Sequence, residues 1–417
     1  MPYTYDINTS KQDKRSSVCL FSCHTLYNII VLFVSTFLVA HVYSLSDNVF
    51  DYIKNVAIYE MSQYLFMLIL CPLFGWIVEK TNRTWIYRFG MIVMTGVVIF
   101  AIFYGEQISK YIFLVGAIYG TANTIYYSGY NTLKHEMVSR KSIKSFAVFS
   151  QATSYAVKIV VPIVMGALID VSTYSQVAIY VLIVCAIQIG FSFGVRAKRP
   201  DNSRFNLKSY FQKLKENPET FKKVKILYWC AFIYGFTTIV STSIKICVMI
   251  HFGSSFSLGA MTSAFSIVSI LTILLFNKFT KSGKRKWIYI LSAILPAICT
   301  WIFCISPQVW LLILYYLGVA VSKIIMSTMF DVYRNGVLKE AGLYSEITEH
   351  QTMIEIFLSI SRILSFGSLV LLSLLNNLTI FYIFLSISIL SYSATTILLL
   401  YYENKYMKNL SQPDKKE

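Results

Sequence analysis

The chain has 417 residues, of which 56% are hydrophobic and 14% charged, against about 45–50% and about 25% in soluble domains. No soluble core could hide that surplus, so lipid is the expected solvent for most of the chain. A disordered chain, a disulfide scaffold and an ordinary cytosolic enzyme are excluded, and the net charge of +17 does not indicate nucleic acid, because the cations sit in short clusters between apolar runs rather than on one basic face.

Residues 1–18 are polar, carry Lys11, Lys14 and Arg15, and lack the features of a cleavable signal peptide. Twelve apolar runs follow, each near the length of about 20 residues that a spanning helix needs. They cover roughly 19–42, 52–78, 85–104, 110–131, 146–169, 174–195, 226–250, 255–277, 287–305, 308–331, 351–374 and 378–401. With the N-terminus in the cytoplasm, the inner segments hold 31 of the 37 Lys and Arg, while the outer loops hold only Lys54 and Lys110. That asymmetry predicts a cell-membrane protein with both termini cytoplasmic and an even number of spans. The eight Cys form no CxxC pair and read as small apolar side chains, so neither a metal nor a cofactor is expected.

The gap after the sixth span divides the chain. The predicted organisation is a cytoplasmic tail 1–18, a six-helix bundle 19–195, a cytoplasmic linker 196–225, a second bundle 226–401 and a tail 402–417. The halves share a short repeat: Arg83-Thr84-Trp85-Ile86-Tyr87 matches Arg285-Lys286-Trp287-Ile288-Tyr289 at four of five positions, in equivalent loops. The expected fold is therefore all-α and integral to the membrane, with twelve transmembrane helices in two six-helix bundles related by an internal repeat. In the linker, Leu207, Tyr210, Phe211 and Leu214 fall on one helix face opposite Lys208, Lys213 and Lys215. This predicts an amphipathic helix lying on the anionic inner leaflet, ended by Asn217-Pro218, which cap the next helix.

The loop after the second span reads Gly75-Trp76-Ile77-Val78-Glu79-Lys80-Thr81-Asn82-Arg83. It resembles the G-x-x-x-D-R-x-G-R loop of the major facilitator superfamily, with Glu for Asp and Asn for the second Gly. Asn tolerates a left-handed backbone, so the resemblance implies that the tight turn survives at Asn82. The second copy, Thr280 to Arg285, keeps the Gly and the bases but has Thr in place of the acid. The stretch Glu355 to Arg362 is similar to the eleventh span of bacterial members. The resemblance implies a secondary transporter in which Gly75, Glu79, Lys80 and Arg83 brace a cytoplasmic gate, with Glu136 after the fourth span as partner of the Arg. It also implies a central cavity lined by spans one, four, seven and ten, with spans two, five, eight and eleven at the seam.

Charges at membrane depth cost ~2.5–3.5 kcal/mol on insertion scales, so they mark function or pair with each other. Lys158 in span five, Lys323 in span ten and Arg362 in span eleven are the candidate substrate-binding cations, with Asn123 of span four beside them. Glu60 and Glu355 are the carboxylates available for coupling to an ion gradient, a proton gradient first, with His24 and His41 of span one as alternatives. Glu60 and Gln63 share a face, as do Glu355 and Arg362, and either set fits an internal contact as well. Lys245 lies nearer the outer surface and is expected to snorkel there.

The functional reading is a monomeric secondary transporter moving a small solute by alternating access. The cation surplus suggests an anionic substrate. Efflux of drug-like solutes by the same fold, and a non-transporting sensor or scaffold, are the competing readings. A membrane enzyme is disfavoured because no nucleophile and base occur together.

Overall fold

The computed structural model describes residues 11–137, 143–196, 205–281, 285–340, 343 and 346–406. The predicted tails 1–18 and 402–417 and the second copy of the loop motif fall partly outside them. Among the described residues the chain is entirely helical. Eleven stretches among them are long and apolar enough to cross a membrane, and one, Arg83–Lys134, runs for 52 residues and holds helices of 22 and 26 residues, each long enough to cross by itself. That gives the twelve crossings expected.

The helices are α1 Lys11–Leu32, α2 Leu38–Ser44, α3 Val49–Lys80, α4 Arg83–Tyr104, α5 Ile112–Met137, α6 Ile143–Val171, α7 Tyr174–Ser192, α8 Leu207–Glu216, α9 Pro218–Gly235, α10 Thr237–Phe252, α11 Ser255–Lys281, α12 Arg285–Ile305, α13 Val309–Glu340, α14 Ile347–Ser373, α15 Leu378–Ser388 and α16 Leu390–Tyr406. A π-helical turn, Phe33–Phe37, joins α1 to α2 within span one. Large apolar side chains such as Phe103, Trp287 and Ile305 stand 77%, 72% and 84% exposed, as the outer face of a protein dissolved in lipid requires. Pro72, Pro162 and Pro296 sit inside spanning helices, where neighbouring helices can take up the freed carbonyls.

Packing divides the chain into two compact units. The first contains residues up to Leu45, Ile69–Arg204 and Ser254–Ser263. The second contains Ser46–Leu68, Phe205–Gly253 and Ala264 onward. The division departs from the sequence boundaries in two segments: the first half of α3 groups with the second unit, and the first turns of α11 with the first. Side-chain contacts explain both. In α3, Met61 lies against Gly367 and Tyr64 stacks with Phe366, both on α14. At α11, a Cβ on Gly259 would run into the Pro162 backbone of α6, and Asp170 caps the helix start. Its carboxylate accepts from the Ser255 and Phe256 backbone N–H groups, each at 3.0 Å.

Within the first unit α4 and α5 approach closely through two glycines. A Cβ on Gly90 would stand 2.5 Å from the Tyr126 nitrogen, and one on Gly129 2.8 Å from the Tyr87 nitrogen. Elsewhere in this unit α1 and α7 exchange polar contacts, with Gln188 Nε2 donating to the Cys23 carbonyl at 3.0 Å and Cys23 Sγ donating to the Gln188 carbonyl at 3.4 Å.

Within the second unit the linker helix α8 ends where Asn217 caps α9, its side chain accepting from the Thr220 N–H, with Pro218 in the first turn. The apolar face of α8 does not lie on the leaflet as expected. Tyr210 and Leu214 are fully buried. The Tyr210 hydroxyl lies 2.9 Å from both the Tyr228 hydroxyl and His350 Nδ1. Lys213 is bonded to Glu346, and the Asn206 N–H to Glu349 Oε1 at 3.0 Å. The polar tip of Tyr210 explains the difference: a tyrosine that reaches a buried imidazole gains a bond that lipid cannot supply.

Candidate functional site

Span seven is interrupted at Gly235-Phe236, between α9 and α10. Gly235 packs tightly against α14: a Cβ there would stand 2.7 Å from the Leu358 carbonyl oxygen and run into the Ser361 hydroxyl. The approach brings the start of α10 beside the middle of α14. Thr238, Ser241, Thr242 and Lys245 then fall at i, i+3, i+4 and i+7 of α10, which is one face of a helix.

That face collects ionic side chains from three other helices of the same unit. Arg362 of α14 donates from Nε to Thr238 Oγ1 at 3.2 Å. Lys323 of α13 donates to Ser241 Oγ at 3.1 Å, and its ammonium lies 5.9 Å from the Phe265 ring centre. Glu60 of α3 is 5% exposed; Thr242 Oγ1 donates to its Oε1 at 3.4 Å, and Tyr64 is a further hydrogen-bond partner. Lys245 is half-buried and in electrostatic contact with Glu60, where snorkelling to the outer surface was expected. The reason is local: one turn from Thr242, a buried carboxylate is a nearer counter-charge than the interface. The guanidinium of Arg362 lies over the Tyr64 ring, 4.8 Å from its centre, and Nη1 is 3.8 Å from Glu355 Oε2. The site thus unites Glu60, Lys323, Glu355 and Arg362, four of the residues singled out from the sequence. It adds Thr238, Ser241, Thr242 and Lys245, whose signal was a row of hydroxyls at helical spacing inside an apolar run. Gln63, on the other hand, contacts Met67 Sδ at 4.0 Å.

The remaining candidates belong to the first unit. Asn123 is 6% exposed; its Oδ1 accepts from the Tyr27 hydroxyl at 2.9 Å and its Nδ2 donates to the Tyr119 carbonyl at 3.1 Å. Tyr27, Tyr126 and Tyr130 stack around it together with His24, whose Nδ1 lies 3.1 Å from the Tyr126 hydroxyl. Lys158 is exposed, its ammonium 5.9 Å from the Tyr155 ring centre. His41 Nε2 is 2.8 Å from the Gly105 carbonyl oxygen.

The loop motif also lies in this unit. Gly75 is buried, Lys80 sits 4.0 Å over the Trp76 ring, and the buried Arg83 is in electrostatic contact with Glu79. Asn82 departs from expectation. Its backbone is extended, φ −69° and ψ 110°, and its side chain accepts from the Thr84 N–H at 3.1 Å and the Thr84 hydroxyl at 2.7 Å. It serves as the N-cap of α4, so the amide rather than a left-handed backbone is what the turn uses. Glu136 falls on the last turn of α5, and its side chain lies outside the described residues. Among the described residues no group of His, Cys, Asp and Glu is arranged to hold a metal.

The sequence model of the Major Facilitator Superfamily matches residues 17–342. An uncharacterized protein of Bacillus subtilis (strain 168), YqgE, is 23% identical over 265 residues, which is 63% of this chain; the chain spans only 60% of that relative. Among solved structures, the nucleoside transporter NupG superposes with a TM-score of 0.63 at 14% identity, over 95% of this chain and 99% of its own. A POT family transporter in complex with a thioalcohol-conjugated peptide gives 0.70 at 11% identity, and one in complex with 5-aminolevulinic acid gives 0.70 at 12%. Both cover 94% of this chain and 96% of their own. At these identities the likeness is one of fold.

Proposed function

Because the chain belongs to the Major Facilitator Superfamily, we propose that it is a secondary active transporter that moves a small solute by alternating access and binds a negatively charged group of that solute on the polar face of α10. The observation that carries this reading is the stripe Thr238, Ser241, Thr242 and Lys245, to which two further cations, Lys323 and Arg362, are tied by hydroxyl groups. Each hydroxyl fixes the head of a cation on this face, where it can meet a ligand's negative charge. Nucleosides, peptides and 5-aminolevulinic acid, named with the structural neighbours, are small polar solutes, and the same size class is proposed here.

Glu60 is the coupling group in this reading. It is a buried acid facing a lysine, and adding a proton to it removes the counter-charge of Lys245, so occupancy by a proton changes how strongly the stripe attracts an anion. The protein works as a monomer in the cell membrane, with both termini cytoplasmic. Lys158 is assigned to the solute's path in the first unit, Asn123 to packing between α1 and α5, and Glu79 and Arg83 to a brace on the cytoplasmic side.

The test is uptake by proteoliposomes under an imposed inward proton gradient, screened with carboxylated and phosphorylated solutes. Lys323→Gln and Arg362→Gln are expected to abolish uptake with insertion and folding preserved. Glu60→Gln is expected to leave solute exchange intact while removing accumulation. A neutral solute carried at full rate by Lys323→Gln and Arg362→Gln would remove the anion reading.

A further inference from the structure

Arg362 is a planar fork with five N–H donors. Among the described residues it makes one hydrogen bond, from Nε to Thr238. Its face is taken by the Tyr64 ring, which leaves the edge that carries the terminal nitrogens. Toward Glu355 that edge reaches only an ion-pair distance, 3.8 Å, longer than any hydrogen bond. Glu355 is the complementary half: its side chain is 36% exposed, and among the described residues nothing donates a hydrogen bond to it. The two sit seven residues apart on one face of α14. A self-contained pair would close to about 2.8 Å and form two parallel bonds. This one is held open, with donors left on one member and acceptors on the other.

The open pair constrains what fits it. A purely anionic ligand on Arg362 would stand beside the Glu355 carboxylate, and a purely cationic ligand on Glu355 would stand beside the guanidinium; each brings like charges together. A molecule with both charges satisfies both residues. On one α-carbon, carboxylate and ammonium lie about 3 Å apart by ordinary bond lengths, close to the gap that separates Arg362 from Glu355. We infer that the solute is a small zwitterion with both charges on one α-carbon, a free amino acid, whose carboxylate is taken by the Arg362 fork and whose ammonium is taken by Glu355. This rests on the anion-binding reading above and adds Glu355 as the specificity-determining residue.

The experiment is thermal stabilisation and competition on the purified full chain. The probes are the free amino acids and alanyl dipeptides, their N-acetyl derivatives and their C-terminal amides. At least one free amino acid should stabilise the protein, more than the alanyl dipeptides do, with its N-acetyl and amide forms weaker by about ten-fold or more, the worth of one charge-assisted hydrogen bond. Glu355→Gln should lower affinity for the free compound by the same factor and leave that for its N-acetyl form unchanged or better. Glu355→Asp should restore part of the loss, which also serves should the Gln variant fold poorly. If the N-acetyl form binds as tightly as the free one, the zwitterion is overturned while the anion reading stands. No stabilisation by any free amino acid overturns it too. Binding of simple carboxylates, lost in Arg362→Gln, then decides the anion reading separately.

Discussion

The Asn123 cluster of the first unit and the Arg362 pair of the second treat polar side chains in opposite ways. In the first, Asn123, His24 and Tyr126 are engaged by neighbours, and the Asn123 amide both donates and accepts. In the second, Arg362 uses one of its five donors and stands off from its acid. A satisfied amide in lipid holds helices together. A half-buried guanidinium with donors to spare keeps hydrogen bonds that a bound solute can take up. The difference separates polar residues kept for packing from those kept for a ligand, although both look alike as isolated polar letters in an apolar run.

The largest effect should come from the unsatisfied side. Arg362→Gln is expected to lower transport by about 100-fold or more, as for loss of a charged contact made to the moving solute, and adding Glu355→Gln should not rescue it. Rescue by the double change, with recovered thermal stability, would make the pair structural and erase the contrast. On the packed side, Gly129→Val should destabilise the fold by ~3 kcal/mol, because the new side chain meets the Tyr87 backbone. The readout is the midpoint of thermal unfolding in detergent, and an unchanged midpoint would mean that α4 and α5 are not as close as described.

A smaller loss, ~1–2 kcal/mol, is expected from Asn123→Ala, which leaves the buried Tyr27 hydroxyl without its acceptor. Transport per folded molecule should stay within about two-fold of the parent. A complete loss of uptake in a stable Asn123→Ala protein would move Asn123 to the ligand side of the comparison. The smallest effect concerns the linker. Lys213 is bonded to Glu346, which raises its ammonium above the ordinary lysine value. A raised cation stabilises fully below the unfolded value of about 10.4 and loses that contribution only as pH climbs beyond it. Docking of α8 should therefore be constant between about pH 6 and 9. The pair is half in water, so Lys213→Ala should cost under ~1 kcal/mol and less at high salt. Limited proteolysis between α7 and α9 would report it, and a pH-dependent cleavage rate in that window would contradict the assignment.

Much of the architecture is legible in the residues. Apolar runs of spanning length and the confinement of Lys and Arg to alternate loops give twelve crossings, because the membrane imposes length and charge rules on each segment separately. Asn217-Pro218 is likewise a local signal, and it caps α9 as read. The site is legible only in part. Glu355 and Arg362 share a helix face, so their proximity can be read from spacing, but the partners of Lys245 and Lys323 come from other helices. Which helix meets which depends on Gly235, a residue that looks like any other glycine in an apolar run until Leu358 is seen beside it. Asn82 shows the limit from another side: an asparagine suits both a left-handed turn and a helix cap, and only the backbone angles decide.

The paired notches at Gly90 and Gly129 have a genetic consequence. A side chain added at either position meets main-chain atoms of Tyr126 or Tyr87. Every amino acid has those atoms, so no second change at position 87 or 126 can make room. Selection for revertants of a Gly129→Val allele should return glycine at position 129 itself, or global stabilisers scattered elsewhere, and never a compensating partner across the contact. Two residues can thus depend wholly on each other in space and leave no trace of that dependence as paired substitutions.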